Sequence, residues 1–374
     1  MKVLSEMMTF NHEQIVFGND RDTGLRAIIA IHDTTLGPAI GGTRMWPYKT
    51  EDEALGDVLR LSRGMTYKAA AAGLNLGGAK GVIIGDPEKD KNEFLLRAYA
   101  RLIEGLHGRF ITGEDVGISV GDVEWMTAET SSVVGISEAL GGSGDPSAAT
   151  ALGVFRGIQA CSEEVFDTTS LDGIKVAIQG LGKVGMHLAE LLHHEHAKLI
   201  VADLDRHRVK LAVGKFEALE VAPEQIYGVD ADIFSPCALG AIINDKTMPL
   251  FKVGIVAGAA NNQLEDEAKH GQVLKKKGIL YAPDFVINAG GLINVADEIS
   301  GYNRERALVK VENIYSVLKE VMRVANKENI TTGMAAARMA ERRLDQAAKL
   351  RRRFVYTPSA CYRGTKIFSR GNPV

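Results

Sequence analysis

An α/β protein of two domains with a cleft between them is what this sequence predicts, on three observations. At 374 residues the chain is too long for one ordinary core. Its central part reads as short β-branched runs alternating with helical stretches, the pattern of a parallel sheet with crossover helices. One of those runs leads straight into Gly180-Leu-Gly182-Lys-Val-Gly185, which opens a helix and marks the second domain as a Rossmann-type dinucleotide-binding domain. The N-terminal part is then an α/β catalytic domain. We expect residues 1–142 with 330–374 to form the substrate-binding, catalytic and oligomerisation domain, and residues 143–329 the dinucleotide-binding domain.

In chain order, residues 26–32 read as a strand. Thr50-Glu-Asp-Glu53 is a capping box, and Ala54, Val58, Leu61 and Met65 recur after it at helical spacing. This helix should run towards Lys68 and stop before Gly73. A glycine-dense stretch, 73–81, precedes the apolar run 82–84. Residues 91–106 read as a helix, and 110–112 as a short strand feeding the polar turn Gly113-Glu-Asp115. The glycine-rich segment 141–145 is a domain boundary, with Pro146 at the next helix start, where its missing N–H costs nothing. Parallel strands are expected at 175–179, 198–202, 231–234, 254–256 and 278–280. Long helices follow at 304–326 and 333–351, the last returning to the first domain. No internal repeat is evident.

The apolar share is 45% and the charged share 24%, which is ordinary for a globular chain. With 44 basic against 47 acidic residues, the net charge of −3 offers no general attraction to nucleic acid or an anionic membrane. No run is long and apolar enough to span a bilayer, and the N-terminus does not read as a secretory signal. Cys161, Cys237 and Cys361 lack metal-type spacing and form no disulfide framework. A reducing cytoplasm fits these features.

The glycine motif has a division of labour. Gly180 permits the tight turn, Gly182 lets backbone approach the pyrophosphate, and Gly185 lets helix pack on strand, with Leu181, Lys183 and Val184 between them. Free amides at the helix start attract the phosphates. Asp203, at the end of the second strand, can accept from the adenosine ribose hydroxyls. An acid there repels a 2′-phosphate, so NAD is favoured over NADP, while Arg206 and Arg208 nearby leave NADP open. The strand ends Ser235-Pro-Cys-Ala238 and 256–262 should lie on the same face.

In the first lobe Lys68 and Lys80 stand near glycines in apolar surroundings. Burial and a second cation would both lower an amine pKa and make a base usable near neutrality, and Asp115 could carry protons. Taken singly, each also fits a surface lysine or a turn aspartate. Together with four motifs they carry a resemblance. Leu36-Gly-Pro-Ala-Ile-Gly-Gly-Thr-Arg44, the segment 73–81, Thr112-Gly-Glu-Asp-Val-Gly117 and Gln179-Gly-Leu-Gly-Lys-Val-Gly185 resemble the glutamate/leucine/phenylalanine/valine dehydrogenase family over nearly the whole chain. The resemblance implies NAD-dependent oxidative deamination of an L-amino acid to a 2-oxo acid and ammonia. It implies that Lys68 binds the substrate carboxylate with Asn262 and the Gly41-Gly42 backbone, with Met65 also at the substrate. It implies that Lys80 activates the water that attacks the imino acid, and that Asp115 handles protons on the substrate nitrogen. Thr150, Cys237, Ala238 and the loop from Ala257 to Asn262 would border the cofactor. A homo-oligomer is implied, with an octamer among the family's assemblies.

The matching side-chain pocket positions, Ile40, Gly113, Leu292 and Val295, carry no charge, which disfavours glutamate, whose side chain would need a buried cationic partner. Branched-chain aliphatic substrates (leucine, isoleucine, valine) are expected, with modest discrimination among them. Gly113 departs from the alanine usual in the aliphatic branch of the family and is more like the phenylalanine branch. It either widens the pocket for phenylalanine or is compensated by bulk elsewhere. A non-catalytic NAD-binding regulatory protein is the rival reading, opposed by Lys68, Lys80 and Asp115 occurring together. His193, His194 and His196 suit a helix C-terminus and lack metal-ligand partners, so no metal is expected. The basic run 349–353 reads as a solvated helix end or subunit contact.

Overall fold

A computed structural model gives the fold over residues 3–351. Cys361 and the ends of the 349–353 run and of the 330–374 segment lie outside the described residues. In the first domain, α1 (Val3–Phe10), β1 (Gln14–Asp20), β2 (Leu25–Asp33), β3 (Ala39–Ile40), β4 (Thr43–Trp46), α2 (Glu51–Ala71), β5 (Gly77–Ile84), α3 (Glu93–Glu104), β6 (Phe110–Ile111) and α4 (Val120–Met126) follow in chain order. The sheet runs β1-β2-β5-β3-β6, with β4 also on β5. β2 packs Ile29 and Ile31 towards Tyr99 and its neighbours on α3, and Ile28 and Ala30 towards Leu55, Val58 and Leu59 on α2. Burial on both faces is why its sequence alternates so weakly. β1, a partly exposed edge strand, carries no comparable apolar run and went unread.

The Thr50 hydroxyl accepts from the Glu53 amide at 3.1 Å, but the Glu53 carboxylate accepts from the Lys49 amide at 3.0 Å, not from Thr50. The expected box therefore closes one residue early. The glycine-dense stretch is half strand, since β5 starts at Gly77. An added Cβ at Gly78 would lie 2.0 Å from the Thr66 amide nitrogen of α2. That bare backbone lets α2 lie directly on β5, so Lys68 and Lys80 come to the same end of the cleft.

The second domain comprises α5 (Ser147–Phe166), β7 (Lys175–Gln179), α6 (Lys183–His194), β8 (Lys198–Ala202), α7 (Arg206–Phe216), β9 (Leu219–Glu220), β10 (Ile233–Pro236), β11 (Ile255–Val256), α8 (Glu267–Lys276), β12 (Leu280–Tyr281), α9 (Asp284–Ile287), α10 (Gly290–Ala296), α11 (Arg304–Glu312) and α12 (Ile314–Glu328), and α13 (Thr332–Arg351) follows it. Its sheet runs β12-β11-β10-β7-β8-β9, and every pairing is parallel. Strand order reverses between β7 and β10, which opens a crevice at their carboxyl ends. The first two strands coincide with the sequence reading. The next three start slightly later than expected, and β9 was not anticipated.

The single helix expected at 304–326 is two, broken at Asn313. Arg306 (2.7 and 2.6 Å) and Lys310 (3.0 Å) tie α11 to the buried carboxylate of Asp297. Val311 of α11 and Ile314, Leu318 and Val321 of α12 all join the core beside α5, so the two segments share that partner and α11 alone is also tied to Asp297. α13 returns to the first domain as expected. Arg343 donates to the Ala70 carbonyl (2.8 Å) and the Gly73 carbonyl (2.9 Å), and Glu341 accepts from the Tyr67 hydroxyl (3.0 Å).

Candidate active site

The chain leaves β3, turns through Gly41-Gly42 and resumes as β4, with both strands laid parallel on β5. A Cβ at Gly41 would meet the Ala79 carbonyl at 1.8 Å, and one at Gly42 the Glu114 carbonyl at 2.3 Å. The bare turn is thus pressed between β5 and the Gly113–Asp115 loop. Lys80 points from β5 into this junction, only 4% exposed, and its Nζ lies 2.8 Å from Asp115 Oδ1. Asp115 Oδ2 accepts from Arg44 Nε at 2.9 Å. Arg44 in turn reaches Asp57 Oδ2 at 2.9 Å, and Asp57 is also held by the Tyr48 hydroxyl (2.7 Å) and Arg60 (2.8 Å). Burial works to raise the Asp115 carboxyl, but Lys80 and Arg44 outweigh it and hold the group at about 2. It is therefore a fixed carboxylate, suited to accept hydrogen bonds from a cationic nitrogen and a weak base while both cations hold it.

The amine whose pKa is pushed down is Lys68, to about 8. Burial is the main cause, with Lys80 adding to it and Asp284 and Asp115 opposing it. Its ammonium has no hydrogen-bond or ion-pair partner among the described residues, so it is free to take an anion. The Gly41 amide is already committed to the Ile111 carbonyl at 3.1 Å. Of the two amides assigned to a carboxylate, only that of Gly42 lacks a partner among the described residues. Asn262, after β11, takes a left-handed φ of 50° and is exposed at the crevice.

The apolar positions converge across the two domains. Ile40, Leu292, Ile111, Val134, Ala69 and Leu76 form one cluster, with Met65 and Val295 packed against it. Met65 also lies under the glycine turn, its Cγ 3.3 Å from where a Gly41 Cβ would sit. Leu292 and Val295 stand three residues apart on α10, which puts both on one helix face. A Cβ at Gly113 would point at the Val134 carbonyl, 2.9 Å away, so backbone already occupies much of the space an alanine methyl would take.

The glycine motif behaves as its spacing predicts. Gly180 has φ +94°, and a Cβ at Gly185 would lie 2.0 Å from the Gly180 carbonyl. A Cβ at Gly182 would meet nothing nearer than Arg208 at 3.9 Å, which leaves the open cradle a pyrophosphate needs. Asp203 reaches back to this turn, its Oδ2 accepting from the Leu181 amide at 2.5 Å. Cys237 and Ala238 follow β10 beside it, the Cys237 amide donating to the Gln179 carbonyl at 2.7 Å. Ala257 follows β11, its amide on Phe234. The Val184 side chain packs at the edge of the core. Two of the side chains assigned to the cofactor have partners within the protein. Lys183 pairs with Asp145, and the Thr150 hydroxyl donates to the Pro146 carbonyl at 3.0 Å, beside α10. Arg208 is held by Asp205 at 3.2 Å.

Sequence reasoning gave no role to Arg44, Asp57, Val134 or Asp284. Arg44 lies inside a motif that carried the resemblance, and a cation amid glycines was the available signal; the other three come near the site only through tertiary packing. No helix among the described residues is long and apolar enough to cross a membrane.

Residues 12–132 match the family description "Glu/Leu/Phe/Val dehydrogenase, dimerisation domain", and residues 141–207 and 201–352 match "Glutamate/Leucine/Phenylalanine/Valine dehydrogenase". The chain is 56% identical to a leucine dehydrogenase of Geobacillus stearothermophilus over 95% of its own length and 96% of that protein's. It is 54% identical to a phenylalanine dehydrogenase of Lysinibacillus sphaericus, over 90% of this chain and 89% of the other. The crystal structure of L-tryptophan dehydrogenase from Nostoc punctiforme superposes with a TM-score of 0.83 at 48% identity, covering 92% of this chain and 99% of that one.

Proposed function

The chain belongs to the glutamate/leucine/phenylalanine/valine dehydrogenase family, and from that premise we propose that it catalyses the NAD-dependent, reversible oxidative deamination of leucine, isoleucine and valine. As a member it is an amino-acid dehydrogenase, an oxidoreductase that uses a nicotinamide cofactor and interconverts an amino acid and its 2-oxo acid. The observation that carries the finer reading is the uncharged pocket of Ile40, Met65, Val134, Leu292 and Val295. It offers a glutamate side chain no counter-charge and an aliphatic one a buried surface.

In this reading the Lys68 ammonium, the Gly42 amide and Asn262 hold the substrate carboxylate. Asp115 accepts hydrogen bonds from the substrate nitrogen, and Lys80 takes a proton from the water that attacks the imine carbon. The cofactor, when bound, supplies the hydride acceptor for the substrate α-carbon. The Gly180–Gly185 turn, with Leu181, Gly182, Lys183 and Val184, would cradle its phosphates, Asp203 would take its ribose, Thr150 and Ala257 would border its nicotinamide end, and Cys237 and Ala238 would border the cofactor at the end of β10. The open space at Gly182 and the Asp203 carboxylate beside the turn support NAD.

We assign residues 1–142 with 330–374 to the substrate domain and 143–329 to the NAD domain, a division supported by the docking of α13 on α2. Assembly of copies is supported by edge strand β1 with exposed Phe17, and by exposed Leu4 and Met8 on α1. Free thiols at Cys161 and Cys237 suit a reducing cytoplasm.

The test is NADH formation at 340 nm from purified protein with NAD and leucine, isoleucine, valine, methionine, phenylalanine and glutamate. Highest kcat/KM on the branched aliphatics is expected. Highest kcat/KM on phenylalanine would establish the second reading, which Gly113 favours, and binding of NAD without turnover would establish a non-catalytic one.

A further inference from the structure

Asp284 begins α9 with a carboxylate that does two separate things. Its Oδ1 accepts from the Phe285 amide at 2.7 Å and its Oδ2 from the Gln263 amide at 3.3 Å, and the neighbouring Asn262 amide is close enough to favour the ionised carboxylate. These bonds fold the turn in which Asn262 is held left-handed, so the carboxylate sets where the Asn262 side chain is presented. α9 packs against α2, and the same carboxylate acts electrostatically on the Lys68 ammonium of α2, as Asp115 also does. Lys68 makes no hydrogen bond or ion pair among the described residues.

We propose that Asp284 is a positioning residue for the substrate carboxylate, holding the Asn262 turn of one domain while its charge keeps the Lys68 ammonium of the other domain protonated and available. The inference rests on the reading that Lys68 and Asn262 bind that carboxylate. A turn-forming aspartate alone would need no charge, since a neutral amide oxygen can also accept from backbone N–H groups. The charge matters because Lys68 is buried beside a second cation, Lys80 of β5. Without a counter-charge, a buried lysine gives up its proton.

Lys68 is faced by Lys80, by Asp115 and by Asp284. Asp284 is faced by Lys68, and it acts on Tyr281 of β12 and Glu267 of α8. Of the charged groups on α13, Glu341 and Arg343 are committed to Tyr67 and to the Ala70 and Gly73 carbonyls. Asp284 is therefore the acid of the nucleotide-binding domain that acts on Lys68, opposing the loss of its proton above neutrality.

Asp284→Asn keeps an oxygen for the backbone amides and removes the charge. KM for L-leucine, kcat, and KM for NAD are measured from about pH 6.5 to 10 for wild type and variant. The expected result is an alkaline rise in the leucine KM that begins about one pH unit lower, giving about a tenfold higher KM near pH 9. At pH 6.5 the two KM values should agree within about twofold, with kcat and the NAD KM unchanged throughout. A leucine KM raised by one factor at every pH would mean a turn-forming role only and overturn the proposal, as would superimposable profiles. Should D284N not fold, Asp284→Ser offers a hydroxyl oxygen to the same amides without a charge. It should show the same earlier alkaline rise in the leucine KM, and a rise at the wild-type pH overturns the proposal. A wild-type protein that turns over no amino acid overturns the functional reading itself and this inference with it. A working wild type followed by D284N at every pH overturns the inference alone.

Discussion

Replacing Arg44 by Gln removes one of the two cations that hold Asp115 ionised. The pair distances, 2.8 Å from Lys80 and 2.9 Å from Arg44, are nearly equal, so the two cations contribute comparably to the pull. Together they overcome a burial penalty and still bring the carboxyl from 3.8 to about 2. With Arg44 gone the burial penalty stays while about half the opposing pull is lost, which raises Asp115 by roughly 1–2 pH units. At about 1.4 kcal/mol per unit this is ~1.5–3 kcal/mol. The sign follows from the depressed folded value. The stabilisation is present above the unfolded value of 3.8 and is lost as pH falls through about 2. R44Q should therefore be less stable than wild type by roughly that amount at pH 7, and the gap should narrow below pH 4. The more specific readout is the pH dependence of that stability gap, followed by urea denaturation, because it tracks the Asp115 carboxyl directly. Asp57 keeps Tyr48 and Arg60 in the variant, so the neighbouring loop stays anchored. A gap that stays constant from pH 7 to below pH 4 would refute the electrostatic argument and leave Arg44 a packing residue.

Three other outcomes are expected. Lys80→Ala should lower turnover by about 10²–10⁴-fold while NAD binding, read by fluorescence titration, is retained; unchanged turnover would remove Lys80 from the chemistry. His12 and His32, buried with ring centroids 4.8 Å apart, are both lowered from 6.5 to about 4, chiefly by burial. Below pH 6.5 the unfolded chain takes up protons that the native pair refuses, so stability should fall between pH 6.5 and 4 by roughly 3 kcal/mol per histidine at most. Urea denaturation of wild type and a His12→Gln, His32→Gln variant would detect this, with equal slopes in the two proteins counting against it. Gly113→Ala drives a methyl to 2.9 Å from the Val134 carbonyl, so the melting temperature should drop by an amount equivalent to about 1–3 kcal/mol. Activity on phenylalanine should decline more than activity on valine, and an unchanged ratio would show that Gly113 does not border the side chain.

The nucleotide-binding sheet was legible because its strands are short, buried on both faces and punctuated by glycines. Lys175–Gln179 and Lys198–Ala202 coincide with their sequence-read bounds for that reason. β1 was not legible, since an edge strand reading Gln-Ile-Val-Phe-Gly-Asn-Asp has no clean alternation and its three apolar residues give way at once to Gly-Asn-Asp, a turn signal. The break at Asn313 left no local trace: both segments pack on α5, and what sets α11 apart is its tie to Asp297, a contact made through tertiary structure. Within the site, Lys68, Lys80, Asp115 and the Gly180–Gly185 turn carried their own signals. The consumption of the Gly41 amide by Ile111, the Lys183–Asp145 pair and the bonds of Asp284 to the Asn262 turn each join residues far apart in the chain, and no local pattern encodes them.

The apolar cluster proposed as the side-chain pocket has one wall on each lobe, Ile40 and Met65 on the substrate side and Leu292 and Val295 on the nucleotide side. Its width is therefore a property of the angle between lobes as much as of the residues that line it. A substitution far from the substrate that alters this angle retunes which guest fits. A larger guest wedged between the walls, conversely, holds the lobes apart and keeps water near the chemistry. Selectivity and closure in such a molecule are one mechanical variable, and a lineage that changes its diet must also change its bite.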